Sequence, residues 1–316
     1  MNSRGIQILA AAVCLTACLS ASAGVKTITF ENRDNCLEIT NGTARLVIIP
    51  GAGGRVLHYS LDGGPDFYAS GCQIDIGPEL DYPPNHPALW SGPYAVEILG
   101  PLSVKLTSPE DGATGLQLIK VIEMDKEGAG VTVRATMKNI SEKDVAYCLW
   151  DRTMTNADYG FFPLNPDSRF KARWSMRRGE PGSWRYDGEN PSSPRVQIVG
   201  DLLVTVPGKK MEKVAADSMA GWIAGFMDGW LYIKRFPVES DGDYADGGNS
   251  VEFWVNDRGT MTEIEPLSPK VTLKPGETYT FHERWDLRRV DVEINSAEDI
   301  PKLLPYVKKM GKPLAP

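Results

Sequence analysis

Two glutamates at alternate positions are the first residues of this sequence that suggest chemistry. Glu263 and Glu265 lie in the run of residues 261–267. If this run is a strand, the two side chains share one face with their carboxylates about 7 Å apart. Apolar neighbours on that face would raise the pKa of a carboxyl, so that it could serve as an acid or a base. The alternative is an exposed strand face with scattered charge, which the usual exposure of glutamate favours equally.

His86 is the histidine with the most suggestive surroundings. It lies between prolines in residues 83–90, a segment that ends at Trp90. A single histidine is more often a hydrogen-bonded polar residue than a base or a metal ligand. His86 therefore stays a candidate acid beside that simpler interpretation.

The acidic run of residues 241–249 resembles a calcium loop only superficially. Ala245 stands where a ligand belongs, and Asp246 stands where the loop needs glycine. We expect a turn or a sugar-contacting loop here, and we expect no metal and no cofactor. The motifs Gly-x-Ser-x-Gly, His-Glu-x-x-His, Cys-x-x-Cys and the Walker loop do not occur in the sequence.

Short runs of alternating apolar and polar residues must position these groups. Residues 131–138 are typical of a strand with one face on a core, and similar runs recur between turn residues, which indicates a sandwich or barrel. Asp228 and Gly229 predict a tight hairpin. Two segments rich in proline and glycine, residues 63–101 and 165–194, are predicted to be ordered, site-forming loops. Further strands are predicted at 45–49, 55–61, 116–124, 201–206, 221–226, 230–234, 250–255 and 279–287.

In the last of these runs, Glu283 shares a face with aromatic residues and would need a buried partner. Ser296 is expected to cap a short C-terminal helix, with Glu298 and Asp299 in its first turn and lysines in its last turn.

The first 23 residues predict export. Arg4 provides a positive start, residues 6–19 are apolar, and residues 21–23 are a small-residue cleavage site. Residues 15–18 also resemble a lipobox, which would lipidate Cys18, and both forms of processing stay open. We expect a periplasmic, secreted or outer-membrane protein that contacts the membrane only through Cys18. The remaining thiols, Cys36, Cys72 and Cys148, allow at most one disulfide and are expected to be small buried hydrophobes.

Composition narrows the classes of partner. The chain has 316 residues, with 41 acidic against 34 basic side chains and a net charge of -7. Such a balance lacks the basic surface that binds phosphate backbones, so nucleic acid is not an expected partner.

Five segments, taken in their order and spacing, resemble the DUF4380 proteins, bacterial proteins that belong with the galactose-mutarotase-like (aldose 1-epimerase-like) supersandwich proteins. The resemblance covers about residues 43–288 and implies an all-β, galactose-mutarotase-like β-supersandwich of antiparallel sheets with a short C-terminal helix. We expect the domain at residues 24–290 and a helical tail at 291–316. The segments are residues 53–63, 87–94, 137–141, 244–248 and 263–277.

The resemblance also implies site residues. Mutarotases use a late-strand glutamate, just before a Leu-x-Pro-Gly-Glu turn, as base on the anomeric hydroxyl, and Glu265 matches it with Glu263 next to it. Their general acid is a histidine, but this sequence has Trp150 or its neighbours in that place. The acid is therefore expected to be His86 or Asp246. The expected substrate contacts are Arg55, Trp90, Trp150, Asp151, Arg152 and Tyr244.

Three functions follow as hypotheses. The first is an exported, epimerase-like enzyme that acts on a sugar by acid/base chemistry, with the arginines steering hydroxyls or a carboxylate. The second is a non-catalytic module in which aromatic rings stack on a small sugar or an oligosaccharide. The third is an envelope interaction protein that uses the sheet as a scaffold.

Overall fold

The computed structural model describes residues 23–61, 63–77, 85–180 and 183–309. The predicted leader, except for its last residue, and Cys18 lie outside the described residues. Within the described ranges, no helix has both the length and the apolar character needed to cross a membrane.

The described chain is built almost entirely of antiparallel strands. Two short helices, α1 (Pro87–Trp90) and α2 (Leu304–Lys309), and one 3₁₀ helix (Ala297–Leu303) complete it. The strands are β1 (Gly24–Phe30), β2 (Arg33–Thr40), β3 (Ala44–Ile49), β4 (Arg55–Leu61), β5 (Tyr68–Gly77), β6 (Ala95–Gly100), β7 (Ser103–Thr107), β8 (Leu116–Met124), β9 (Val131–Asn139), β10 (Val145–Thr155), β11 (Tyr159–Pro163), β12 (Ser175–Arg178), β13 (Arg185–Asp187), β14 (Val196–Val199), β15 (Leu202–Thr205), β16 (Glu212–Ala216), β17 (Trp222–Met227), β18 (Trp230–Arg235), β19 (Val251–Val255), β20 (Thr262–Pro266), β21 (Val271–Leu273) and β22 (Thr278–Arg289).

The strands form two large sheets, as the all-β prediction requires. Sheet I has 12 strands in the order β1-β2-β3-β4-β5-β10-β20-β19-β16-β12-β13, with β21 paired to β10. Sheet II has 10 strands in the order β14-β15-β11-β17-β18-β22-β9-β8-β7-β6. Strand β10 lies in the middle of sheet I, between β5 and β20.

The inner faces of the two sheets pack on each other to form the main core. Strand β9 shows the expected alternation, because Val131, Val133, Ala135 and Met137 are buried while the residues between them are partly exposed. Strand β10 contributes Leu149 to the same core. Side chains of opposite parity on sheet I therefore face away from sheet II.

A buried ionic cluster joins the sheets. Lys234 of sheet II contacts Asp151 of sheet I and lies 3.2 Å from a carboxylate oxygen of Glu283, and all three side chains are at most 1% exposed. The indole Nε1 of Trp285 donates a 2.6 Å hydrogen bond to Glu283. Burial and the neighbouring Asp151 raise the pKa of Glu283 to about 8. The partner that Glu283 needs is thus a lysine, together with an indole N–H.

The structure confirms the predicted hairpin turn and the predicted helix cap. Strands β17 and β18 are joined at Asp228 and Gly229, which have φ values of 42° and 76°, as a type I′ hairpin turn requires. Ser296 begins the C-terminal helical segment in a capping box with Asp299. This segment buries Ile300 and Leu303 in a second apolar cluster, together with residues of sheet II.

The prediction of a continuous loop over residues 63–101 is wrong. This stretch contains β5 and β6 as well as α1, and β5 is a central strand of sheet I. Its residues 72–76 alternate in polarity, but the surrounding glycines and prolines hide the pattern. The prediction for the thiols is confirmed, because Cys36, Cys72 and Cys148 are free and buried.

Candidate functional site

The candidate site lies on the face of sheet I that points away from sheet II. Trp150 pairs with Asp75 of β5, and Arg152 pairs with Gln73. Because side chains alternate along a strand, Trp150 and Arg152 share this outer face, while Asp151 between them points into the core.

Helix α1 closes one side of the site. Gln73 Nε2 donates to the carbonyl oxygen of Trp90 at 3.1 Å, and Tyr94 Oη donates to that of Leu89 at 2.7 Å. Gly53 lets this segment approach, since its φ is +78° and a Cβ there would lie 2.3 Å from the Trp90 carbonyl oxygen. Gly53 therefore permits the close approach that holds Trp90 beside the sheet.

Between α1 and the sheet lies a pocket of about 300 Å³. Its described walls combine two tryptophans with charged and polar groups. The lining residues are Asp75, Ile76, Asn85, His86, Pro87, Trp90, Trp150 and Arg152. We call this cavity the Trp90–Trp150 pocket.

Arg152 is the charged centre of the pocket. Its guanidinium carbon lies 4.1 Å from the ring centroid of Trp90 and 4.2 Å from that of Trp150. It also forms an ion pair with Asp75, which is completely buried. Burial opposes the charge on Arg152, but Asp75 outweighs it and raises the pKa of the guanidinium. Arg152 is therefore a fixed cation between two aromatic rings.

Asp75 also binds His86. The distance from His86 Nε2 to Asp75 Oδ2 is 3.1 Å. Burial alone would raise the pKa of Asp75, but the charge of Arg152 and the hydrogen bonds from His86 and Arg152 hold it below its ordinary value. The carboxylate thus stays ionised and orients both a histidine and an arginine at the pocket wall.

Glu265 lies on the same side of the sheet but does not line the pocket. Its Oε2 accepts a 2.6 Å hydrogen bond from Trp150 Nε1 and lies 2.5 Å from Lys213 Nζ. Lys213 also lies 2.8 Å from Glu252, the residue opposite Glu265 on β19. Glu265 is fully buried. Glu265 therefore holds the indole of Trp150 in place through its hydrogen bond and forms an ion pair with Lys213.

Glu263 is the more accessible of the two late-strand acids. It is partly exposed, and it pairs with Met154 of β10. Burial and the neighbouring Glu265 raise its pKa to about 8, against the opposing influence of Lys213 and Arg152. Glu263 is therefore a neutral carboxylic acid at pH 7, in contrast with the ionised Asp75.

A family model described as "Domain of unknown function (DUF4380)" matches residues 80–288. The chain belongs to the DUF4380 family. A comparison with curated proteins gives no match for this DUF4380 protein.

Solved structures show which fold this DUF4380 protein has. A galactose mutarotase-like protein from Clostridium acetobutylicum superposes with a TM-score of 0.58 at 12% identity, covering 84% of this chain and 98% of that one. A galactose mutarotase-like protein from Lactobacillus casei gives 0.57 at 14% identity, covering 80% and 100%. A putative aldose 1-epimerase from Escherichia coli K12 gives 0.54 at 13% identity, covering 80% and 98%. The fold is galactose mutarotase-like.

The structure of this DUF4380 protein brings four of the sequence-predicted residues into one pocket. His86, Trp90, Trp150 and Arg152 all line it. Arg55 lies on the far side of the wall, with its guanidinium carbon 5.0 Å from the Trp90 ring centroid. These residues come from three separate parts of the chain and meet because β4, β5 and β10 are neighbours in sheet I.

Three predicted residues lie elsewhere. Asp151 faces sheet II and is bound to Lys234, so the prediction that it contacts a substrate does not agree with its position. Because side chains alternate along a strand, a predicted position that is wrong by one residue places the side chain on the opposite face of the sheet. Tyr244 lines a different cavity, and Asp246 is buried in the loop that follows it, so neither is among the residues of the Trp90–Trp150 pocket.

Asp75 is the charged residue of the pocket that the sequence analysis does not predict. The available signal was the alternation of residues 72–76, in which Gln73 and Asp75 occupy one face and apolar residues the other. A charged residue at an alternate position of such a run indicates a strand whose outer face carries function.

Proposed function

We propose that this DUF4380 protein is an exported carbohydrate-binding protein whose ligand occupies the Trp90–Trp150 pocket. One observation carries the proposal: two tryptophans and the hydrogen-bonded group of Asp75, His86 and Arg152 enclose the same small cavity. A sugar offers apolar C–H faces and many hydroxyls, which match aromatic walls and fixed charged groups respectively. The galactose mutarotase-like fold of the chain is in keeping with such a ligand.

Binding is tested by calorimetric titration of the full chain with a panel of hexoses and their short oligosaccharides. Trp90→Ala should weaken the binding of any active sugar at least tenfold, because it removes one wall of the pocket. Trp184→Ala is the matched control: Trp184 also carries an arginine, Arg177 at 4.2 Å, but it is not a pocket residue. If no sugar binds, or if both variants lose affinity equally, the proposal is wrong.

A second function, acid/base isomerisation of the bound sugar, is favoured by the His86–Asp75 pair. In such a reaction a base takes the proton of the anomeric hydroxyl while an acid protonates the ring oxygen, and the C1–O5 bond opens to the aldehyde. Closure on the other face returns both protons. Histidine ordinarily titrates near neutral pH, and Asp75 orients it. We propose His86, which lines the pocket, as one proton-transfer group, and Glu263, which is not a lining residue but lies near Arg152 on the same face of sheet I and has a raised pKa, as the other.

Anomer exchange measured by NMR separates this activity from binding alone. His86→Asn and Glu263→Gln should slow the exchange of a bound sugar by at least tenfold while its affinity stays within about threefold. Glu265→Gln should have the smaller effect, because Glu265 is fully buried against Trp150 and Lys213. A wild-type chain that binds a sugar without accelerating exchange is a non-catalytic binding protein.

A further inference from the structure

A second cavity borders the pocket at Arg55. It has a volume of about 350 Å³, and its described walls include Arg55, Tyr68, Ser70 and Ser91. Ser91 directly follows Trp90, and the ring of Trp90 contacts both Arg55 and Arg152. The two cavities therefore lie on either side of the helix α1 wall.

Arg55 has no acidic partner among the described residues. None of its nitrogens lies within ion-pair distance of a carboxylate there, and its buried Nε has no hydrogen-bond acceptor. Arg152, by contrast, is neutralised by Asp75. Burial and the nearby charge of Arg152 lower the pKa of Arg55 below its ordinary value.

The acids of this second cavity are already engaged. Asp66 lies 2.7 Å from His58 Nδ1 and accepts backbone N–H groups of Tyr59 and Tyr68. Glu31 pairs with Arg33 at 2.7 Å. Glu263 lies near both arginines, and burial together with the neighbouring Glu265 raises its pKa to about 8, which favours its neutral form.

A further cation adds to the local positive charge. Lys120 is buried below the Gly53 turn, where its Nζ donates to the Gly53 carbonyl oxygen at 2.8 Å. Lys120 lies close enough to Arg55 for the two positive charges to repel each other. Among the described residues at this wall, Arg55 is thus a cation that no carboxylate pairs with, and an anion could take that place.

We propose that Arg55 forms an anion subsite beside the Trp90–Trp150 pocket and that the natural ligand is a sugar carrying an oxyanion, such as the carboxylate of a uronic acid. A guanidinium presents paired N–H donors that match a carboxylate, sulfate or phosphate group. Ser70 and Ser91 supply hydroxyls in the same cavity. The inference rests on the proposed sugar-binding function and narrows its ligand class.

The test compares acidic and neutral sugars on the full chain by calorimetry. Glucuronate is compared with glucose, and galacturonate with galactose. Glucose 6-phosphate and glucose 6-sulfate test the other oxyanions. A charge-assisted bidentate contact should make the best acidic sugar bind roughly 10- to 100-fold more tightly than its neutral counterpart. Raising the salt concentration should weaken this preference.

Arg55→Gln should abolish the preference, so that the variant binds acidic and neutral sugars equally well, while Arg55→Lys keeps part of it. Arg45→Gln is the matched control: Arg45 lies on the neighbouring strand β3 over the ring of Phe30, but it already has Glu38 as a partner at 2.6 Å. Far-UV circular dichroism checks that each variant folds.

The outcomes are distinct. Neutral sugars that bind as well as every acidic one, or a preference that survives Arg55→Gln, would overturn the anion subsite and leave the sugar pocket intact. Failure of all sugars to bind would overturn both proposals. An Arg55-dependent preference for any of the three anions supports the subsite and identifies which oxyanion it takes.

Discussion

The ionic cluster between the sheets makes the stability of the chain depend on pH. The pKa of Glu283 is about 8 in the folded chain, compared with an ordinary value of 4.5, because the group is buried next to Asp151. The folded chain therefore holds a proton at neutral pH that the unfolded chain releases. A carboxyl with a raised pKa stabilises the fold fully below the unfolded pKa, and this stabilisation is lost as the pH rises through the folded pKa.

The size of the effect follows from these two pKa values. For a single carboxyl, proton linkage gives a fall in the free energy of unfolding of about 3.5 kcal/mol between pH 5 and pH 8. Glu263 acts in the same direction, but it is partly exposed and its contribution is reduced by solvent screening. We therefore expect the chain to be clearly more stable at pH 5 than at pH 8.

Glu283→Gln tests this reasoning. The amide oxygen can still accept the hydrogen bond from Trp285, and the side chain cannot ionise, so most of the decline in stability between pH 5 and pH 8 should disappear. Urea unfolding curves at four pH values measure it, with Glu127→Gln, on an exposed turn, as control. If Glu283→Gln shows the same pH dependence as the wild type, Glu283 is ionised in the folded chain and the account is refuted.

Two further predictions concern the pocket wall and the leader. Gly53→Ala should lower the melting temperature and weaken sugar binding, because its Cβ would lie 2.3 Å from the Trp90 carbonyl oxygen, whereas Gly100→Ala, with nothing within 4 Å, should change neither. Mass spectrometry of the chain from its native cell should find an N-terminus at Gly24 or an acylated Cys18, with Cys18→Ala removing the acyl group. A chain that still begins at Met1 would contradict export.

Much of the fold could be predicted because its signals are local. The alternation in β9 and the positive φ values at Asp228 and Gly229 depend on neighbouring residues alone. Strand β5 was missed because its glycine- and proline-rich surroundings obscure it and because its partner β10 is distant in sequence. The pairing of two strands that are far apart in sequence cannot be recognised from the residues next to either strand.

The site was predictable in part for similar reasons. His86 and Trp90 lie in a conspicuous segment, and the resemblance to a known family indicated Trp150 and Arg152. The sequence did not reveal that Glu265 is covered by Trp150 and Lys213, since burial of one side chain depends on others far along the chain.

The strict alternation along β10 has a consequence for how this protein can change over generations. Trp150 and Arg152 meet the ligand pocket, whereas Leu149 and Asp151 hold the two sheets together. Neighbouring residues of this one strand therefore have different roles: one set forms the pocket, and the other stabilises the core. An insertion of one residue in β10 would reverse the faces of both sets at once, so that the pocket and the contact between the sheets would be lost together.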